Sequence, residues 1–334
     1  MKLLTTVFVA ATLAAFAADD FITYEPKDGP GKGKHVVLLA GDEEYRSEEA
    51  MPMLGKILSQ RNGFKCTVLF SVGADGTIDP GAGGSLSNPA ALDTADAIVM
   101  SLRFRKWDDA ILSKFEAAVN RGVPLIGLRT STHLFSGIPK DSKYAKWNWN
   151  SKDWAGGFGR NVLGETWVAH HGAHKKEGTR GIVEAAQAEN PILRGLGEIF
   201  GDTDVYTANP LADSTIIMRG SVTESLDPAS PAVKGKKNEP MQPIVWTRVH
   251  KNDAGKTNNI VTTTMGSATD LSNEGLRRLV VNGVFWGLGL EVPQKANVEL
   301  VDPFRPRPYG FGGGRKGITA ADHALGKELP EGNK

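Results

Sequence analysis

Cysteine is almost absent from the 334-residue chain, which contains only Cys66. An intramolecular disulfide is therefore impossible, and because Cys66 stands in the apolar stretch KCTVLFSV, we expect a buried, inert thiol. An excess of charge of one sign is also lacking, since 39 Lys and Arg residues stand against 38 Asp and Glu. This balance gives no electrostatic reason to expect a nucleic acid or a membrane surface as a partner.

Long apolar runs are missing except at the N-terminus. Met1 and Lys2 make a short basic start, residues 3–18 carry no charge, and Ala15-Phe16-Ala17 fits a small-x-small cleavage pattern. These features predict a signal peptide over residues 1–18, too short to span a bilayer, with a retained N-terminal anchor as the alternative. We expect the mature protein to be exported, periplasmic or secreted, without a membrane span.

The rest of the chain shows no internal repeat. Residues 19–33 are predicted to be a linker and residues 34–291 a single domain. Residues 292–334, which include PFRPRPYGFGGGRKG, are predicted to be a Pro/Gly-rich tail without regular structure.

Strands and helices alternate through the first part of the domain. HVVLLAG, KCTVLFSV, ADAIVMSL and VPLIGLR are continuous apolar runs, typical of strands buried on both faces. A helix is expected from an N-cap at Ser47 to the sequence RNG, and another over DDAILSKFEAAVNRG. This alternation predicts an α/β fold with a parallel sheet and helices on both faces.

The second part of the domain is less regular. KYAKWNWNSKDW has no clear period and is predicted to be a loop, whereas ETWVAHH and TRGIVEAA read as strands. QPIVWTRVH and NNIVTTTMG are predicted to form a hairpin, followed by a helix with Ser272 as its N-cap.

Ligands of parallel α/β sheets bind beyond the carboxyl ends of the strands, so the residues that follow each strand are the candidate binding residues. They are Asp42, Glu43, Tyr45, Arg46, Arg103, Arg105, Arg129, Ser131 and His133. The arginines would suit hydroxyl, carbonyl or carboxylate groups of a ligand. Alternatively, they pair with the acidic residues Asp42, Glu43 and Glu44.

The stretch GLRTSTHLF has the strand–turn–helix form that presents the nucleophile in elbow-type enzymes. Arg129 occupies the nucleophile position, and arginine is not a nucleophile. Covalent nucleophilic catalysis is therefore disfavoured.

Three of the seven histidines, His170, His171 and His174, stand within five residues. They could be metal ligands, with His133 or Asp204 completing the set, although His171 stands where a zincin helix requires Glu. They could equally be acid/base or ligand-binding groups, because histidine titrates near neutral pH. A solvated loop is the third alternative.

Several stretches together resemble the ThuA-like (trehalose utilisation) family, whose fold is similar to class I glutamine amidotransferases and flavodoxin-like sheets. They are VVLLAGDEEYRSEEAMPML, PLIGLRTSTHLF, LGETWVAHHGAH, NPILRGL with TDVY, and IVTTTMGSATDLSNEGLRRLVVNGVFWGLGLE. Their order and spacing cover most of the chain from His35 to Glu291. The resemblance extends to exported members from sugar-degrading bacteria, whose tails are similar to RPRPYGFGGGRKG.

The resemblance implies a role in pathways that oxidise glycosides to 3-keto forms, alongside a sugar oxidoreductase, and it implies loss of amidotransferase chemistry. The family's histidine after the LGE strand corresponds to His170, with Glu165 in that strand, and its Asp-x-Tyr corresponds to Asp204 and Tyr206. Two departures stand out. Many relatives have His where Arg129 stands, and Gly-His where Gly266-Ser267 stands.

Three hypotheses follow. The first is acid–base lyase or hydrolase chemistry on a 3-keto sugar or glycoside, with no cofactor. His170 or His174 would be the base, Arg129 or Arg103 would stabilise the enolate, and Asp204, His171 and the strand-end residues would complete the site. The second is a catalytically silent carbohydrate-binding or accessory protein that stacks sugar on Trp147, Trp149 and Trp154. The third is a zinc-dependent hydrolase with a bound divalent metal.

Overall fold

A ten-stranded sheet runs through the part of the chain that the computed structural model describes, residues 19–330. The signal peptide predicted for residues 1–18 lies outside this part. The strands are β1 (Ile22–Tyr24), β2 (His35–Gly41), β3 (Lys65–Phe70), β4 (Ala97–Leu102), β5 (Leu125–Leu128), β6 (Ala169–His170), β7 (Thr179–Val183), β8 (Phe200–Gly201), β9 (Tyr206–Thr207), β10 (Thr215–Val222), β11 (Gln242–Lys251) and β12 (Thr257–Thr263). Strands β6 and β9 form a separate ribbon.

The order across the large sheet is β1-β3-β2-β4-β5-β12-β11-β10-β7-β8. Neighbouring strands from β3 to β12 are parallel. Numbered by their occurrence in the chain, these five strands lie in the order 2-1-3-4-5, which is that of the flavodoxin-like fold. The other pairings are antiparallel, including β1 on β3 and the predicted hairpin of β11 with β12. The predicted fold class, a flavodoxin-like and class I glutamine amidotransferase-like α/β sheet, is confirmed.

Three α-helices cover the sheet: α1 (Ser47–Asn62), α2 (Asp109–Asn120) and α3 (Glu274–Gly287). Apolar side chains of α1 and α3, such as Leu54 and Phe285, share a buried cluster with Val36 of β2. Leu112 and Phe115 of α2 belong to a second cluster, on the other face. In residues 19–330 no helix has the length and apolar character needed to cross a bilayer.

Both predicted N-caps are wrong by one residue. Arg46, in a left-handed conformation, precedes α1, while the hydroxyl of Ser47 accepts a hydrogen bond from the backbone N–H of Asp42. At α3 the cap is Asn273, whose side chain accepts from the N–H of Leu276 at 2.9 Å. At α1 the residue before the helix makes no side-chain capping bond, and Ser47 is already helical. At α3 two adjacent residues are of types that cap helices, and local sequence does not decide between them.

The C-terminal segment, residues 292–330, packs along α1 and reaches the carboxyl edge of the sheet. Lys56 of α1 forms an ion pair with Asp302 at 2.6 Å, and the N–H of Gly310 donates to the carbonyl of Glu44 at 2.7 Å. Residues 320–323 form its one short 3₁₀ turn. At the other end of the chain, residues 19–33 contribute the edge strand β1.

Candidate functional site

Two loops and the β6–β9 ribbon meet at the carboxyl edge of the parallel strands. Tyr45 follows β2, and Arg129 follows β5. In the ribbon His170 lies opposite Tyr206, and Asp204 precedes β9 by two residues. The sheet therefore brings together five of the residues predicted from the sequence.

Asp204 lies at the centre of this group. Its Oδ2 is 2.6 Å from Nδ1 of His170, and its Oδ1 is 3.1 Å from Nδ1 of His174 and 2.8 Å from Nη2 of Arg129. Burial acts to raise the pKa of Asp204, but the hydrogen bond from His170 and the charge of Arg129 outweigh it and lower this pKa to about 2. At neutral pH Asp204 is therefore an anion that accepts hydrogen bonds from both histidines.

His170 is the more open of the two histidines, with 38% of its side chain exposed, against 28% for His174. In the described part of the chain, no hydrogen bond engages its Nε2. Because Asp204 accepts at Nδ1, it favours the tautomer with the proton on Nδ1, which leaves Nε2 as a lone-pair acceptor. This is the arrangement of a histidine general base oriented by a carboxylate.

Arg129 is completely buried behind Asp204. Its Nη1 donates to the carbonyls of Asp204 and Thr264 at 2.7 and 2.8 Å, and its guanidinium lies 3.8 Å from the ring centroid of Tyr206. The same group is 4.7 Å from the ring centroid of Tyr45. Arg129 thus holds and neutralises Asp204 and is enclosed by aromatic rings, so it is not open to a ligand as the sequence suggested.

Left-handed backbone conformations of non-glycine residues concentrate around this site. Arg129 has φ 45° at the strand–turn elbow, and Arg46, Phe104 and Lys175 have φ values of 57°, 50° and 61°. Such conformations are costly for bulky side chains and accumulate at functional sites. The elbow geometry of nucleophile enzymes is therefore present, with arginine in the nucleophile's place.

The C-terminal segment completes the site through Tyr309, which the sequence did not predict. Its ring stacks on Tyr45 with centroids 5.3 Å apart and lies 5.6 Å from the ring of His174. Nε2 of His174 is also 3.3 Å from Oε1 of Glu44, whose pKa is raised by burial and by Asp42. Nothing in the Pro/Gly-rich tail sequence marks Tyr309, since no local pattern encodes a contact with a loop 264 residues away.

Arg103 and Arg105 form a separate ionic group with Glu43. Arg105 is 3.1 Å from a Glu43 carboxylate oxygen, and Arg103 pairs with the other oxygen. These two arginines therefore pair with the acidic loop, which was the alternative to ligand binding. Arg129 instead pairs with Asp204.

Other predicted site residues form hydrogen bonds with backbone groups of the surrounding loops and strands. Asp42 accepts from the N–H groups of Glu44 and Tyr45 and from the hydroxyl of Thr130. The hydroxyl of Ser131 donates to the carbonyl of Met100 at 2.9 Å. These contacts fix the loops after β2 and β5.

Three more residues make contacts away from the Asp204 group. Nε2 of His171 is 2.7 Å from the carbonyl of Lys237, so His171 faces away from its two neighbours in the cluster. Glu165 accepts from Arg160 at 2.7 Å and from the N–H of Asn209 at 2.6 Å. Arg46 donates to the carbonyl of Gly310 and thereby fastens the C-terminal segment.

His133 is buried beside the site, 5.8 Å from the ring of Trp167 and 5.0 Å from that of Phe104. Burial and the charges of Arg103 and Arg129 hold its pKa well below the usual range, so it is neutral.

The predicted tryptophan platform is not assembled as expected. Trp147 is buried and stacks on Phe135, and Trp154 packs against the same core cluster. Trp149 instead lies 6.2 Å from Trp167, a residue that the platform prediction omitted. Tryptophans that are close in sequence thus lie in different places, two against the hydrophobic core and one at the rim of the site.

Three of the predicted residues could together hold a metal ion. His170, His174 and Asp204 each offer one ligand atom, and these atoms lie within 4.8 Å of one another. Two imidazoles and one carboxylate suit divalent transition metals.

The fold and this edge site define the molecule as a flavodoxin-like α/β protein with a histidine–aspartate centre. It is similar in structure to a ThuA-like protein from Parabacteroides merdae, with 13% identity over 78% of this chain and 92% of that chain, and a TM-score of 0.49. A ThuA-like protein from Bacteroides uniformis matches with 14% identity over 79% and 94% of the two chains and a TM-score of 0.45. The PurLQS structure from Thermotoga maritima matches with 12% identity over 76% and 97%, and a TM-score of 0.37.

No family model matches the chain, and a search of curated proteins gave no match.

Proposed function

We propose that this chain is an exported ThuA-like enzyme that cleaves a 3-keto sugar or glycoside by acid–base elimination. The observation that carries the proposal is the pairing of exposed His170 with buried, anionic Asp204, 2.6 Å apart. A base of this kind at neutral pH can remove a weakly acidic C–H proton.

In the proposed reaction, the ketone at C3 of the sugar acidifies the hydrogen on C2. Nε2 of His170 takes that proton, and the electron pair of the C2–H bond forms the enolate. The enolate then collapses to a C1=C2 double bond, and the C1–O bond breaks. The departing aglycone oxygen accepts the proton back from Nε2 of His170, and the products are an alcohol and an unsaturated 3-keto sugar.

Each neighbour of His170 has a defined part in this step. Asp204 orients the ring and stabilises the imidazolium that forms, and Arg129 keeps Asp204 ionised by donating a hydrogen bond to its carboxylate. His174 is held by Asp204 on one side and Glu44 on the other. Arg103 replaces Arg129 as the candidate for stabilising the enolate, since Arg129 is enclosed.

Carbohydrate as the substrate class is supported by the ThuA resemblance and by partly exposed aromatic side chains beside His170. Trp167 lies 5.8 Å from the His170 ring. Export is supported by the sequence of residues 1–18. A sugar oxidoreductase that forms the C3 ketone would supply the substrate.

The test is release of 4-nitrophenol from 4-nitrophenyl 3-keto-glucosides, compared with their unoxidised parents. We expect release from the keto compounds alone and a loss of at least 100-fold in kcat for His170→Ala, the scale of general-base catalysis. His171→Ala is the matched control, because His171 is adjacent in sequence but faces the carbonyl of Lys237. Equal turnover by wild type and His170→Ala would exclude His170 as the base.

A zinc-dependent hydrolase is the second candidate function, favoured by the cluster of His170, His174 and Asp204. It predicts one bound metal per chain by elemental analysis and loss of activity with EDTA, restored by Zn²⁺. Elimination without a metal predicts turnover that EDTA leaves unchanged.

A further inference from the structure

A row of aromatic side chains leads away from His170 along the rim of the site. Ring centroids are 5.8 Å apart between His170 and Trp167, 6.2 Å between Trp167 and Trp149, and 5.7 Å between Trp149 and Phe104. The guanidinium of Arg103 continues the row, 4.5 Å from the centroid of Phe104 and 5.0 Å from that of Phe311. We call Trp167, Trp149, Phe104 and Phe311 the aromatic row.

The aromatic row differs from the core aromatics in exposure. Trp147, Phe115 and Phe135 are buried against one another, whereas Trp167, Trp149 and Phe104 are partly exposed and Phe311 is 62% exposed. Phe311 is therefore the exposed member of the row, and the other three keep part of their ring surface in contact with water. This ring surface is open to a ligand, which that of the core aromatics is not.

The backbone provides a second observation. Phe104 has φ 50°, a conformation that is strained for a bulky side chain. At this turn Arg103 pairs with Glu43, while the ring of Phe104 contacts both Trp149 and His133. A strained residue held in the middle of the row indicates that its position serves a ligand.

We propose that the aromatic row is the aglycone subsite, which binds the ring attached to the bond that is broken. The inference rests on the proposed function, because that function makes His170 the end of the row at which the bond is broken. The C–H faces of a sugar ring, or an aryl ring, stack on aromatic faces. The row continues over several rings, so it fits an aglycone that is itself a sugar or an aryl group, and not a small alkyl group.

The first test measures binding without turnover. Maltotriose, cellotriose and laminaritriose, all unoxidised, are titrated against the mature protein, with tryptophan fluorescence and calorimetry as readouts. We expect at least one of them to bind, and Trp149→Ala to weaken its binding about tenfold, whereas Trp149→Phe retains a ring and most of the affinity. Trp154→Ala is the matched control, since Trp154 lies in the same loop but outside the row; thermal melting verifies that each variant is folded.

The second test compares kinetics on methyl and 4-nitrophenyl 3-keto-glucosides. We expect Trp149→Ala to raise KM about tenfold for the aryl compound, with kcat and the methyl compound unaffected. Absence of trisaccharide binding together with equal KM values in wild type and Trp149→Ala would overturn the subsite. Binding that Trp149→Ala weakens, in a protein that turns over no keto-glycoside, would support the subsite and reject the proposed elimination.

Discussion

Two neighbouring regions of the molecule contain buried carboxylates, which differ in their hydrogen-bond partners. In the first, the site pair, Arg129 donates to the carboxylate of Asp204, which both histidines also contact. In the second, the tail contact, where residues 302–323 cover α1, neither carboxylate oxygen of buried Glu48 has a hydrogen-bond partner among the described residues.

The pKa values follow this difference. That of Asp204 is lowered to about 2, whereas burial and the charge of Glu49 raise that of Glu48 to about 8. Burial acts to raise the pKa of both carboxyls, so the neighbouring groups decide whether the pKa is finally raised or lowered. The comparison shows that hydrogen-bond partners keep Asp204 charged, whereas Glu48, which has none among the described residues, is favoured in its neutral form.

The largest expected effect comes from breaking the site pair. Arg129→Met leaves the Asp204 carboxylate buried without its cation, and we expect a loss of about 3–5 kcal/mol in the free energy of unfolding, measured in urea. The double variant Arg129→Met/Asp204→Asn removes both charges and should recover part of that loss. If the double variant is as unstable as the single one, the carbonyl hydrogen bonds of Arg129, and not its charge, provide the stability.

At the tail contact, removing a charge is expected to increase the free energy of unfolding instead of lowering it. Because the folded pKa of Glu48 is about 8 and its ordinary value is 4.5, wild type loses stability as pH rises from 4.5 to 8, where the unfolded chain is ionised and the folded one resists ionisation. Glu48→Gln should therefore be more stable than wild type by about 2–4 kcal/mol at pH 8 and equal to it at pH 4.5. The measurement is urea unfolding at both pH values.

Glu49→Gln is the matched control. Glu49 is adjacent but pairs with Arg315 at 2.5 Å and accepts from the N–H of Arg307 at 3.0 Å. Its replacement should destabilise the protein at pH 8. A stabilisation of equal size in both variants would mean that general charge reduction, and not the missing partners of Glu48, is responsible.

A smaller effect is expected from His323, also in the tail contact. Its ring is buried against Phe70, its Nε2 has no partner in the described chain, and burial with the charge of Lys56 lowers its pKa to about 3. A histidine with a depressed folded pKa favours unfolding when protonated, so its cost is absent above pH 6.5 and grows as pH falls toward 3. At pH 5 we expect wild type to have lost about 2 kcal/mol through this group.

His323→Phe removes the titration while keeping the stacking on Phe70. Thermal or urea unfolding between pH 7 and pH 5 should therefore change less in the variant than in wild type. Identical pH dependence of the two proteins would assign the acid sensitivity to other groups.

Local sequence was sufficient for the framework of the fold. The apolar runs located β2, β3, β4 and β5, because strands buried on both faces must be continuously apolar. Strand alternation predicted the parallel sheet, and the sheet rule then placed the candidate ligand-binding residues at its carboxyl edge. That reasoning selected Tyr45 and Arg129, while the histidine cluster stood out by its spacing alone.

The sequence by itself therefore determined the fold class and the edge at which the site lies. Only the tertiary structure decided that Arg129 is enclosed and bound to Asp204, 75 positions away, that His171 faces away from its neighbours, and that Tyr309 completes the site. The physical reason is that strand and helix periodicity is a local property of the chain. Pairing between distant charges and rings depends on which loops the folded sheet brings together, and no local pattern records it.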